Sequence, residues 1–321
     1  MNMNKINAVR ATLLCLQRYQ WEQGCAAQAI LEYDGVNDDV LRLCQAAVMR
    51  SSKDGRVGVM ERDDNNLAVN DTAAIGECLL KAYEKTGDVY YKTAADKLYL
   101  YLKNRAPKSS DGIIYHFNIR NQIWVDAYYM SPPFLCAYGD KAEAMKQIKG
   151  LRKYLFDEDA SLLSHIWDDD LQRLERKAFW ATGNGWALSG MTRIIDMLED
   201  GHDKEYLIDY VRKILDGCLK YQCDDGLFYD VLDDPSTFAE STASMMIAYS
   251  IYRGVMRGYI PKNYITFAEK ARSAVENKID ELGYVRDASA MPEFNSPGVS
   301  PEGQAFYILL EAAVRDYLAS C

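Results

Sequence analysis

Two aspartates stand in settings that suit a reactive carboxyl. Asp126 lies in Asn121-Gln-Ile-Trp-Val-Asp-Ala-Tyr-Tyr-Met-Ser-Pro-Pro, where Trp124 and the acid lead into an apolar stretch. Asp71, in Val69-Asn-Asp-Thr-Ala-Ala, holds a matching place in an earlier segment. Two carboxylates brought close together cannot both ionise freely, so one pKa rises. A raised pKa is what a general acid working near neutral pH needs. The competing reading is that each aspartate caps a helix, which Asp71 followed by Thr-Ala-Ala suits well and Asp126 suits less well.

A second cluster is Phe179-Trp-Ala-Thr-Gly-Asn-Gly-Trp, two Trp and two Gly in eight residues. Glycine lets a backbone approach a ligand closely, and a Trp face stacks on the C–H face of a sugar. Trp180, Thr182, Asn184 and Trp186 are therefore candidate sugar contacts. The alternative is a glycine turn between two core tryptophans. His165, in Ser-His-Ile-Trp-Asp, could bind a carboxylate or hydroxyl, and His116 holds a comparable place in an earlier segment; both could equally be structural. Glu240-Ser-Thr-Ala-Ser opens a further helix, and Ser241 and Thr242 are caps or hydroxyl donors to a ligand. The segment at 179–186 lacks the spacing of a phosphate loop, and no Gly-x-Ser-x-Gly elbow occurs.

These residues need helices to hold them. Apolar positions recur at helical spacing and continuous β-branched runs are scarce. Leu79, Leu80 and Tyr83 form one such stripe; it stops at Gly87, and Asp88 caps the next helix, Val89 to about Arg105. Pro132-Pro133 is expected to kink or split one apolar helix. Five turn-plus-extended segments resemble one another: Gly55-Arg-Val-Gly-Val, Gly112-Ile-Ile-Tyr-His, Leu162-Leu-Ser-His-Ile, Gly226-Leu-Phe-Tyr-Asp and Gly283-Tyr-Val-Arg-Asp. Their starts lie 57, 50, 64 and 57 residues apart, the length of two medium helices with loops. Five such connections join six hairpins, which predicts an all-α (α/α)6 toroid spanning 1–321 as a single domain. Inner helices would begin near Asp71, Asp126, Ala181, Glu240 and Gly303, all on one rim. Their N-termini turn backbone N–H groups to that rim and favour an anionic ligand. Without strands between the helices, an open sheet or a TIM barrel fits poorly.

Composition narrows the partners. The 321 residues carry 47 Asp+Glu against 37 Lys+Arg, a formal charge of −10, without the clustered bases that nucleic acid requires. Apolar residues at 49% suffice for a large core. The eight cysteines form no Cys-x-x-Cys and mostly sit among apolar neighbours, which suits buried reduced thiols. Three scattered histidines make a His-rich metal site an unsuitable reading. The apolar run Ala11–Leu16 is too short for a signal-peptide core or a membrane span, so the expected location is cytoplasmic.

The motifs in order are specific. Asn70-Asp-Thr72, Thr86-Gly-Asp-x-x-Tyr91, Gln122-x-Trp-Val-Asp-x-x-Tyr-Met130, His165-x-Trp-Asp168, Phe179-Trp-x-x-Gly-Asn-Gly-Trp186, Glu240-Ser-Thr-Ala243 and Gly298-x-x-x-x-Gly-Gln-Ala305 together resemble the unsaturated uronyl hydrolases of glycoside hydrolase families 88 and 105. The resemblance runs from about residue 20 to 315 and implies the same six-hairpin fold. It implies a substrate left by a polysaccharide lyase, an oligosaccharide (commonly a disaccharide) whose terminal uronic acid carries a C4=C5 double bond. It also implies the roles: Asp126 as general acid and base, Asp71 as the neighbouring carboxylate, Trp124, Trp180 and Trp186 as pocket walls, and His165 as a substrate contact. No metal or organic cofactor is implied. Rhamnogalacturonyl members can carry an Arg where this chain has Thr182, which leaves glucuronyl or another uronyl substrate open. His165-Ile-Trp replaces the His-Gly-Trp of many relatives. A sugar epimerase, an inverting glycosidase, or a non-catalytic oligosaccharide-binding protein on the same toroid are the alternatives.

Overall fold

The computed structural model describes residues 3–60, 68–291 and 293–320. Among them are α1 (Met3–Leu16), α2 (Gln20–Asp34), α3 (Asp38–Met49), α4 (Gly76–Thr86), α5 (Val89–Asn104), α6 (Ala127–Tyr138), α7 (Lys141–Leu155), α8 (Ala181–Met197), α9 (His202–Leu219), α10 (Ser241–Met256), α11 (Ile265–Glu276) and α12 (Pro301–Ser320). The even-numbered helices pack side by side in a closed inner ring, α2 to α4 to α6 to α8 to α10 to α12 and back to α2. Each odd-numbered helix backs an inner one, and α1 completes the outer ring by pairing with α12. This is the six-hairpin toroid that the repeat spacing predicts. None of the described helices is long and apolar enough to cross a membrane.

The two rings follow from two sequence patterns. Outer α9 buries Leu207, Tyr210, Val211, Ile214, Leu215 and Cys218, one stripe at helical spacing, and leaves its charged face to water. Inner α10 is buried continuously from Ser241 to Gly254, so no stripe exists to be read. Inner helices touch neighbours on both sides and need small residues where they approach. At Gly190 of α8, a Cβ would lie 2.2 Å from the Tyr128 carbonyl oxygen of α6. That carbonyl has no helical donor, because Pro132 stands four residues on and lacks an N–H. Pro132 and Pro133 therefore do not split α6, which runs unbroken through both.

The five repeated segments are tight turns built alike. Gly55, Gly112, Gly226 and Gly283 have φ of +107°, +81°, +102° and +85°, and Ser161 takes φ +57° in the remaining repeat. Three of these turns press bare Cα atoms onto the backbone of the next outer helix, Gly55 on Lys97, Gly226 on Lys270 and Gly283 on Ala8. In the third repeat the roles exchange: Ser161 occupies the turn and Gly217 of α9 gives way to it. The extended residues that follow make short antiparallel pairings on the rim, including a three-stranded sheet of Gln122–Trp124, Ile166–Asp168 and Arg173–Arg176.

Of the cysteines, Cys25, Cys44, Cys78, Cys136 and Cys218 are buried free thiols, Cys223 is half-buried and Cys15 is exposed. Cys321 lies outside the described residues.

Candidate active site

Four of the five rim segments return to the start of an inner helix through one backbone hydrogen bond. Val69 N–H donates to the His116 carbonyl at 3.0 Å, and Val125 N–H to that of His165 at 3.0 Å. Ala181 N–H donates to Asp230 and Ser241 N–H to Asp287, each at 2.8 Å. The repeat thus equates His116, His165, Asp230 and Asp287, and it equates Asn70, Asp126, Thr182 and Thr242. Asp71 falls one residue beyond the register of Asp126, a correction to the expected match. It is carried instead by the 3-10 turn Asn70–Ala73 and still reaches the cavity.

The rim encloses a cavity of about 380 Å³, within the usual range of roughly 300–1,000 Å³ for small-molecule sites. Asp71, Asp126, Trp124, His165, Trp180, Thr182 and Trp186 all line it. Its wall is a run of rings in contact: Phe117, His116, Trp124, His165, Trp180 and Phe294. His116 stacks on Trp124 at 4.6 Å and 6°, and His165 stacks on Trp180 at 4.7 Å and 30°. Trp186, packed against Tyr129 at 4.7 Å, also lines the cavity. The three-stranded sheet sets the wall, pairing Trp124 with Ile166 and Ile166 with Arg176.

Neither aspartate acts as a cap; no side-chain capping bond is made by Asp126, and Asp71 lies inside its turn. Asp126 keeps 17% of its side chain exposed, and its Oδ2 has no hydrogen-bond partner among the described residues. Oδ2 lies 3.8 Å from His165 Nε2, which is likewise unpartnered. The pair Asp71 Oδ2 and His116 Nε2 repeats this separation, again 3.8 Å. Burial raises the Asp126 carboxyl to about 6, against the opposing pull of a backbone hydrogen bond and the Arg176 charge. Asp71 is raised well above its ordinary value, by burial first and then by the negative charges of Asp126 and Glu302. Burial holds His116 neutral, down to about 3, and holds His165 well below its ordinary value with help from Arg176.

Several residues that line the cavity were not singled out by the sequence reading. Arg176 Nη1 lies 2.8 Å from His165 Nδ1. Guanidinium only donates, so Nδ1 accepts and the neutral ring carries its proton on Nε2, facing Asp126. Glu302, in the first turn of α12, accepts from the Trp21 indole and is raised to about 7 by burial and by Glu22. Both Glu302 and Trp21 line the cavity. Their signal was available: acidic and aromatic residues in the first turns of inner helices, where only the rim is open.

Other expected contacts have different work. Asn184 is wholly buried, accepts from Leu163 N–H at 2.9 Å and donates to the Leu163 and Trp180 carbonyls. It does not line the cavity. Ser244 Oγ and Gln304 Oε1, each also the fourth residue of an inner helix, receive Phe228 N–H and Val285 N–H in the same way. Asn184 is thus a scaffold position of the repeat. Ser241 donates to the Arg286 carbonyl, and the cap of α10 is the Glu240 side chain, which accepts from Ala243 N–H. Thr242 and Thr182 each keep a buried hydroxyl without a partner among the described residues, and of the two only Thr182 reaches the cavity.

Comparison with known proteins agrees with this fold. The family model described as Glycosyl Hydrolase Family 88 matches residues 2–308. An unsaturated rhamnogalacturonyl hydrolase of Bacillus subtilis strain 168 is 26% identical over 288 residues, covering 85% of this chain and 79% of that protein. A possible member of the GH105 family from Klebsiella pneumoniae superposes with a TM-score of 0.85 at 22% identity, covering 97% of this chain and 91% of its own. The unsaturated glucuronyl hydrolase of Bacillus sp. GL1 gives 0.69 at 16% identity, over 92% and 85%. With its match spanning nearly the whole sequence and the six hairpins in place, the chain belongs to glycosyl hydrolase family 88.

Proposed function

We propose that this protein hydrates the C4=C5 double bond of a terminal unsaturated uronic acid and so releases the neighbouring sugar of a lyase-generated oligosaccharide. The observation that carries the reading is the gap between two unpartnered buried atoms, Asp126 Oδ2 and His165 Nε2, 3.8 Å apart in a Trp-lined cavity. Protonated Asp126 gives its proton to C4, and positive charge develops at C5 beside the ring oxygen. A water adds at C5, and the Asp126 carboxylate takes the proton that water loses. The hemiketal opens to a keto acid, and the neighbouring sugar leaves. A carboxyl near 6 suits a group that must both give and take a proton. Chemistry at a vinyl ether also removes any role for the carboxylate-spacing rule of ordinary glycosidases.

Thr182, where an arginine would favour rhamnogalacturonyl substrates, weakens that specificity and leaves a glucuronyl or other uronyl substrate open. The test follows the ultraviolet absorbance of the conjugated double bond, which hydration removes. Unsaturated disaccharides from pectin, glycosaminoglycan and gellan lyases serve as substrates. Folded protein that bleaches none of them overturns the proposal. Asp126→Asn should abolish turnover and keep binding.

A further inference from the structure

The cavity is poor in positive charge for an anionic substrate, with one exception. Asp71, Asp126, Glu293 and Glu302 line it, and both histidines are neutral. Arg176 is the one cationic side chain lining it among the described residues. Its guanidinium makes a single hydrogen bond, to a neutral imidazole, and forms no ion pair with a carboxylate among the described residues. An arginine beside several acids that pairs with none of them retains N–H donors in a planar fork, the geometry that fits a carboxylate bidentately.

The placement is equally specific. Arg176 ends the strand Arg173–Arg176, and its carbonyl accepts from His165 N–H at 3.2 Å. The imidazole of His165 therefore sits between the guanidinium on Nδ1 and Asp126 on Nε2. In the reaction proposed above, the atom that takes the proton, C4, is adjacent to C5, and C5 bears the carboxylate. A ring that sets C4 at Asp126 and lies across His165 turns its carboxylate toward Arg176.

We propose that Arg176 is the specificity residue for the carboxylate of the unsaturated uronyl ring, which it binds through the N–H groups that His165 leaves free. The assignment rests on the hydration reading of this site. It gives the cavity a guanidinium from a rim strand, in a chain whose α8 carries Thr182 instead of an arginine.

The experiment compares two probes that differ only in this charge. One is unsaturated digalacturonate with a free carboxylate on the unsaturated ring; the other is its methyl ester at that carboxyl. A charge-assisted hydrogen-bond pair predicts that the native protein prefers the acid by about 10- to 100-fold in kcat/KM. Arg176→Gln should lose about that factor on the acid, mainly through KM, and the loss on the acid should exceed the loss on the ester by at least tenfold. Arg176→Lys should recover part of the preference and shows that the strand still folds. Equal losses on the two probes would mean that Arg176 acts only by orienting His165, and would overturn the assignment. Calorimetric binding to Asp126→Asn separates this from failure of the hydration reading. If the native protein turns over neither probe, an acid-over-ester binding preference that disappears in Asp126→Asn/Arg176→Gln still supports Arg176. No such preference in Asp126→Asn overturns it.

Discussion

At the scale of single residues, the two aspartates are set apart by environment. Asp71 is buried in a 3-10 turn, and burial first, then the negative charges of Asp126 and Glu302, raises its carboxyl well above the ordinary value. Asp126 faces His165, and burial raises its carboxyl to about 6 against the opposing pull of the Arg176 charge. If protonated Asp126 starts the reaction, kcat/KM is full below that value and falls as pH rises through about 6. A rate that instead climbs from pH 5 to 8 would show that Asp126 is not the acid. If Asp71 stays neutral, as its raised pKa favours, it is expected to act as a hydrogen-bond donor to substrate and not as a second base. Asp71→Asn, which preserves a donor, should then keep at least tenfold more activity than Asp71→Ala; equal losses would mean that its ionisation matters. Both aspartates were legible in the sequence because each stands beside aromatic or small residues at a helix start. Arg176 was not, because Leu171-Gln-Arg-Leu-Glu-Arg-Lys reads as a solvated charge run until the hairpin turns one end of it into the cavity.

At the scale of elements, α8 fixes the site by what it lacks on one face and what it bonds on another. Gly183 and Gly190 lie two turns apart and face α6 and the residues leading into it: a Cβ on Gly183 would stand 2.5 Å from Val125 and one on Gly190 would meet the Tyr128 carbonyl. Gly190→Ala must push α8 from α6 and is expected to cost about 1–3 kcal/mol in denaturant unfolding. Because Val125 adjoins Asp126, Gly183→Ala should also lower kcat/KM at temperatures where the variant is fully folded. Asn184 makes the opposite prediction. Its loss strands the Leu163 N–H in a buried site, a cost of about 1–3 kcal/mol, while KM should hardly change, since the side chain is not in the cavity. A raised KM without loss of stability would restore Asn184 as a sugar contact. The sequence could not separate these roles: Gly-Asn-Gly next to tryptophan reads the same as a ligand loop or as a helix start. Only the repeat shows the difference, through Ser244 and Gln304 in the corresponding places of α10 and α12.

At the scale of the molecule, the ring has to be closed by its two ends, and the fifth repeated turn does part of that. Gly283 stands at φ +85°, where an added Cβ would lie 2.3 Å from the Ala8 backbone of α1. The same junction holds Thr12 Oγ1, which donates to the Leu282 carbonyl at 2.6 Å, and Lys5, paired with Glu276 at 2.5 Å. The repeat spacing was readable because four of the five turns meet their positive φ with glycine, which is why steps averaging 57 residues gave the architecture before any helix boundary was known. Closure through α1 was less readable, since α1 contains no turn of its own. It can be isolated by comparing two glycines that both stand at positive φ in unequal surroundings. Gly87 has φ +71° and nothing within 4 Å of an added Cβ. Gly87→Ala should cost only the left-handed penalty, about 1–2 kcal/mol. Gly283→Ala adds a backbone collision to the same penalty and should cost about 1–3 kcal/mol more. The excess should appear locally as well, with protease cutting around α1 before the rest of the ring unfolds. If both variants lose the same stability and α1 stays protected, the contact of this turn with α1 does not hold the ring shut, and closure rests on α12 packing against α1 and α2.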